Sequence, residues 1–296
     1  RSTLFPYTTL FRSRTGTEGA AATGFAGNRA RPLALPEPLA TIAVVACYVG
    51  LEWLSFLHEH DELPVTPWSP ALGVMFAAII LKGPYYGVVL FAGVLLSYLL
   101  VLHSALPWLG ILANCAVFAC SYTLVAIVAR RRLQLDARLS HMRDIVVLML
   151  AGLAGAVIAS LLLGMSLVSI RHFDMSDIAH TAAPLIVGDV IGIAVVTPLV
   201  LRLTLHREHM LSETKLGAVA EITAFLAAIL LSLWLVLSPL SSFGQSAFYL
   251  LFLPVVIAAV RHGLDGACAA LAVVQLGLVT DRKSTRLNSS HRTGSR

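Results

Sequence analysis

The sequence predicts an all-α protein, a polytopic transmembrane bundle of about eight or nine spans with its N-terminus in the cytoplasm. Three observations predict it. Hydrophobic residues make up 57% of the 296-residue chain and charged residues only 12%, whereas a soluble domain carries about 45–50% apolar and about 25% charged residues. Mean hydropathy is +0.83. The apolar residues gather in long runs such as 85–102 and 145–170. Such a chain cannot cover itself with polar surface, which excludes an ordinary soluble enzyme.

The two ends stand apart. Residues 3–13 read TLFPYTTLFRS and residues 281–291 read DRKSTRLNSSH. Both resemble translations of the adapters ligated to DNA for short-read sequencing, one adapter at each end. Residues 1–13 and 281–296 are therefore set aside as foreign, as a cloning scar would be, and the natural chain is expected to be cut at both ends. Setting them aside removes seven of the 21 Lys and Arg and one of the 16 acids, which leaves 14 basic and 15 acidic residues, net −1. The isoelectric point near 9.2 thus comes mostly from the ends, and no nucleic-acid partner follows from it. Residues 14–37 are rich in Gly, Ala and Pro without an apolar stripe and read as a disordered cytoplasmic tail. Residues 38–280 form the membrane domain.

A span needs about 20 apolar residues to cross about 30 Å of hydrocarbon. Nine stretches qualify as candidates: 39–57, 67–81, 85–102, 106–129, 145–169, 182–203, 216–237, 247–260 and 264–280. Two of them, 67–81 and 247–260, are short enough to be steep or re-entrant. Lys and Arg bias sets the orientation. With the N-terminus inside, thirteen basic residues of the core fall in inner segments and only Arg171 in an outer one, beside Glu59, Asp61, Glu62, Asp174 and Asp177. Making either short stretch re-entrant would invert everything downstream and spoil that pattern. No internal repeat is evident.

Motifs for soluble chemistry are missing. The sequence has no P-loop, HExxH, G-x-S-x-G elbow or dinucleotide fingerprint, so no catalytic residue and no cofactor is expected. Cys47, Cys115, Cys120 and Cys268 all lie inside candidate spans and form no CxxC pair, which suits structural thiols. His58 and His60 flank Glu59 in an acidic outer loop. They are the weak candidates for a divalent-cation site, although alternate residues share a face only on an extended chain. A hydrated acidic loop explains them equally.

Charged groups inside a span are expensive and usually face a cavity or a partner. Asp189, in Gly188-Asp189-Val190-Ile191-Gly192, lies about 10 Å from the outer end of its span at 1.5 Å rise per residue. Glu52, beside Trp53, lies in the outer half of the first span. The two carboxylates reach similar depths and would approach each other if their helices were neighbours. Gly188 and Gly192 also form a small-xxx-small pair suited to helix packing. Glu221 lies near an inner end and can snorkel. The segment Thr66-Pro67-Trp68-Ser69-Pro70-Ala71-Leu72-Gly73 starts the second span irregularly. Non-helical backbone at membrane depth is tolerated where it is buried in protein or lines a cavity, so Trp68, Pro70 and Gly73 are candidate pocket residues. An ordinary proline-initiated helix with Trp68 as interfacial anchor is the competing reading. Pro198 is expected to kink the sixth span, and Arg261 reads as an inner-side anchor unless it pairs with an acid.

These segments carry a resemblance. Trp68-Ser69-Pro70-Ala71-Leu72-Gly73, then Gly188-Asp189-Val190-Ile191-Gly192 with Thr197-Pro198-Leu199, then Leu253-Pro254 and Ala259-Val260-Arg261-His262-Gly263, resemble in order the MASE1 family of bacterial integral-membrane sensory domains. The resemblance covers roughly 39–280. Ser69 and Val187 depart from the family's more usual small and aromatic residues at those positions. The resemblance implies a signal-input module of the bacterial inner membrane. It would precede a cytoplasmic histidine kinase, diguanylate cyclase or phosphodiesterase and commonly act as a homodimer. Its expected partners are the lipid bilayer and a small-molecule or ion cue, with Asp189, Trp68 and Glu52 foremost among the cavity candidates and Gly188, Pro70, Gly73, Pro198 and Arg261 behind them. The alternative is a secondary transporter or permease using a midmembrane carboxylate. A ligand-free helical scaffold is a third reading.

Overall fold

The computed structural model describes residues 38–55, 59–60, 63–64, 68–102, 107–171, 175–205, 216–237 and 251–293. The tail at 14–37 and His58 lie outside them. The elements are α1 (Pro38–Ser55), a two-residue antiparallel pairing of β1 (Glu59–His60) with β2 (Leu63–Pro64), α2 (Pro70–Lys82), α3 (Tyr86–Ser97), α4 (Trp108–Arg131), α5 (Met142–Arg171), α6 (Met175–Leu205), α7 (Leu216–Leu237) and α8 (Phe252–Thr293). Five helices are long and apolar enough to cross a membrane, and Pro70–Lys82, Tyr86–Leu102 and Thr223–Val236 are shorter apolar helices.

α2 is the central helix. Ala71, Leu72, Met75, Phe76, Ala77, Ile79 and Ile80 are all buried, and α1, α3, α4 and α6 pack around it. Thirteen residues span about 20 Å, less than the hydrocarbon thickness. Its protein-lined surroundings let its ends stop short of water, as buried backbone at membrane depth requires. Pro70 occupies the first turn, where its missing N–H costs nothing. At the other end Gly83 (φ 109°) donates its N–H to the Ile79 carbonyl at 3.0 Å and turns the chain into α3. That φ is one a side chain rarely adopts.

α3 runs on into one π-helical turn, Tyr98–Leu102. α4 ends where Leu135 N–H reaches back to the Ala129 carbonyl at 3.0 Å, with Gln134 in the left-handed region at φ 49°. The connection to α5 is tucked under the core by Leu135 and Leu139. Buried Asp144 tethers it, accepting from the backbone N–H groups of Asp136 and His141 at 3.4 and 3.3 Å. A carboxylate in the first turn of α5 also suits the positive end of the helix dipole.

Of the last two sequence-derived spans, 247–260 has its first four residues outside the described ones, and its remainder with 264–280 corresponds to α8 broken at Gly263 (φ 63°, ψ −143°). The chain folds back there: Gly266 lies against the Ala258 carbonyl, and Leu251, Ala258, Ala270 and Val274 share one cluster with Ile229 and Leu233 of α7. The second arm of α8 runs to Thr293, through the stretch whose sequence reads as adapter. Large apolar side chains point outward along the helices, among them Leu100, Leu109, Leu150, Leu161, Leu231 and Trp234. A soluble surface does not tolerate so extensive an apolar covering, whereas lipid does.

Candidate functional site

The site is built where α2 meets α6. Ser69 precedes Pro70, and its side chain makes no capping bond to α2. Its N–H instead donates to the Gly188 carbonyl at 3.2 Å, and its hydroxyl bonds the Asp189 carboxylate. Such closeness requires glycine. A Cβ on Gly192 would lie 2.7 Å from the Ser69 carbonyl carbon, and one on Gly73 would lie 2.8 Å from Cβ of Val196. Thr197 completes the seam, donating from Oγ1 to the Gly73 carbonyl at 2.9 Å. The small residues therefore bring two backbones together, and polar side chains fasten them.

Asp189 is buried, 3% exposed, and accepts a 2.6 Å hydrogen bond at Oδ2 from the hydroxyl of Tyr122 on α4. The Tyr122 ring is held edge-on to Phe76 with centroids 6.3 Å apart and tilted on Phe118 at 6.0 Å. A buried carboxylate is tolerable only when its oxygens are bonded in this way. Glu52, partly buried on α1, is hydrogen-bonded to Tyr48 one turn earlier. Both carboxylates line one cavity of about 70 Å³, together with Tyr48, Ser69, Ser97 and Tyr98 and with apolar walls that include Leu72, Phe118 and Leu185. The sequence expected the two acids at similar depth, and the structure places them at one cavity.

The other candidates divide. Gly188 and Gly73 belong to the α2–α6 seam and Pro70 starts α2, and none of the three lines the cavity. Trp68 does not line the cavity. It is 2% exposed and packs with Val195, Val196 and Val279, so the interfacial-anchor reading is corrected too. Ser69 lines the cavity, whereas its neighbour Trp68 packs against α6 and α8. Pro198 is buried, and α6 continues helically through it. Arg261 is exposed beside the break at Gly263 and is not among the lining residues. The side chain of His60 lies outside the described ones, and among the described residues no group of three or more His, Cys, Asp or Glu is arranged to hold a metal.

Sequence reading missed Tyr48, Tyr98, Ser97, Tyr122 and Asn114. All are uncharged, so no cost of burial flags them, although Asn114 in mid-span is a polar signal that could have been weighed. It donates weakly to the Tyr98 hydroxyl at 3.5 Å. It also missed the ion pair of Arg202 with Asp265, 2.6 and 3.1 Å through Nε and Nη2, which ties the far end of α6 to the second arm of α8.

The cavity sits at one end of the bundle, among the C-terminal halves of α1, α3 and α5 and the N-terminal halves of α2, α4 and α6. Arg202 lies thirteen positions after Asp189 on α6, about 20 Å along the helix. One rigid element thus connects the cavity to the opposite end. The model of the MASE1 family matches residues 37–295, most of the chain, including the adapter-like stretch. No curated protein and no solved structure matches it.

Proposed function

The chain belongs to the MASE1 family of membrane-associated sensory domains, and from that premise we propose that its input site is the cavity between Glu52 and Asp189. The observation that carries the reading is the double fastening of Asp189. Its carboxylate is bonded by Tyr122 from α4 and Ser69 from the start of α2, so any ligand that engages it acts on three helices at once. A cue that binds one packing of these helices better than another shifts their equilibrium by its differential affinity. α6 then carries the change to Arg202 and, through Asp265, to the last helix. On this reading the N-terminus is cytoplasmic, the chain crosses the inner membrane of a bacterium eight or nine times, and the cavity opens outward.

We take the parent protein to be a histidine kinase or a cyclic-di-GMP enzyme, with this chain as its N-terminal portion and residues 1–13 and 281–296 foreign to it. Recovering the source gene with primers inside residues 14–280 and sequencing outward tests this. A reading frame that continues into a kinase, cyclase or phosphodiesterase domain supports the sensor. A stop codon soon after residue 280 removes the output and contradicts it.

A further inference from the structure

What the cavity takes is legible in the chemistry of its wall, and the inference rests on reading the cavity as the input site. Six lining side chains are polar, and every one presents oxygen: the carboxylates of Glu52 and Asp189, the phenols of Tyr48 and Tyr98, and the hydroxyls of Ser69 and Ser97. Among the described residues, no Lys, Arg or His stands in the wall. Most of these groups already have protein partners: Asp189 with Tyr122 and Ser69, Glu52 with Tyr48, Tyr98 with Asn114. Ser97 differs. It is 4% exposed, and its Oγ has no hydrogen-bond partner among the described residues although it faces the cavity. A buried hydroxyl left unpaired is unfavourable, and each such group asks for an explanation.

We propose that the cavity binds a small monovalent cation, either an alkali metal ion or a primary ammonium group, between Glu52 and Asp189, with the Ser97 hydroxyl as a further ligand. Charge selects the sign: two acids with no basic neighbour among the described lining residues repel an anion, and they attract a cation more strongly where water is scarce. Size selects the class. A cavity of about 70 Å³ is well below the roughly 300–1,000 Å³ of clefts that take drug-sized ligands, which favours a small ligand. Five of the six polar side chains already bond protein groups, which leaves fewer free oxygens than the roughly 6–8 that calcium takes, and magnesium demands near-ideal octahedral geometry. Neutral hydroxyls are adequate partners for a monovalent ion or for N–H donors.

The test is thermal unfolding of the 296-residue chain in nanodiscs of uncharged lipid. Ionic strength is held constant with N-methyl-D-glucamine chloride, a cation too large for the cavity, while sodium, potassium, ammonium or methylammonium chloride replaces it. Binding to the native state raises the melting temperature saturably. At least one small cation is expected to do so, and the choice between alkali ions and ammonium names the source. Glu52→Gln should raise the half-saturating concentration at least about tenfold. Ser97→Ala should raise it too without lowering the melting temperature in N-methyl-D-glucamine, because that hydroxyl makes no bond among the described residues. The same melting temperature in every cation overturns the proposal, as does an undiminished response in both variants or stabilisation by calcium or magnesium alone. Any of these leaves the sensor reading intact provided Asp189→Asn still alters signalling; an unaltered signal overturns the sensor reading independently.

Discussion

The Tyr122 hydroxyl and the Asp189 carboxylate stand 2.6 Å apart, joining α4 to α6 past Gly155 of α5, where a Cβ would lie 2.8 Å from the tyrosine ring. Three helices are thus fitted around one bond. Tyr122→Phe keeps the ring and its contacts with Phe76 and Phe118 but leaves the buried carboxylate short of a donor. A loss of about 1–3 kcal/mol is expected, read as a lower melting temperature in detergent. An unchanged melting temperature would show that water replaces the hydroxyl without penalty.

The α2–α6 seam makes a second prediction. Gly192→Ala places a methyl against the Ser69 backbone, which is held by Gly188 and cannot move aside as a flexible side chain could. A cost of about 1–3 kcal/mol is expected from overpacking. Gly50→Ala on α1 is the control, since nothing lies within 4 Å of its added methyl. Helix propensity alone should make that variant more stable, by up to about 1 kcal/mol. The pair of melting curves should therefore move in opposite directions.

Arg202 and Asp265 are respectively 27% and 34% exposed. Exposed pairs contribute only about 0–1 kcal/mol, so Arg202→Met and Asp265→Asn should each change stability little. Their place between α6 and α8 gives them a different importance. Either substitution should alter output in the full-length protein, and exchanging the two charges should restore it in part. A double-mutant cycle on signalling with no coupling between the positions would remove this link from the account.

Much of the membrane scaffold was legible because lipid imposes a simple rule: apolar runs long enough to span. The two carboxylates were legible because charge at membrane depth is costly and so stands out. Tyr48, Tyr122 and Ser97 were not, since neutral residues at those depths look like ordinary packing. Trp68 was misplaced because a sequence does not show which way neighbouring residues face where the backbone is irregular, and Ser69 alone of the two lines the cavity. The Arg202–Asp265 pair was invisible for another reason. Its members lie 63 positions apart, and Arg202 read as one more inner-side basic residue. The break at Gly263 was half legible: the basic, glycine-containing segment marked a boundary, but the closeness of Gly266 to the Ala258 carbonyl required coordinates.

The central claim is that Asp189 belongs to an input site and not to a merely structural seam. The most direct measurement is the output of the full-length protein, recovered from its source gene, with Asp189→Asn compared with wild type at equal membrane abundance. Asparagine keeps the size and can still accept from Tyr122 and Ser69, so folding should survive. The account predicts an altered response to conditions that change the wild-type output. An identical response at equal abundance would contradict it and leave Asp189 as a packing residue.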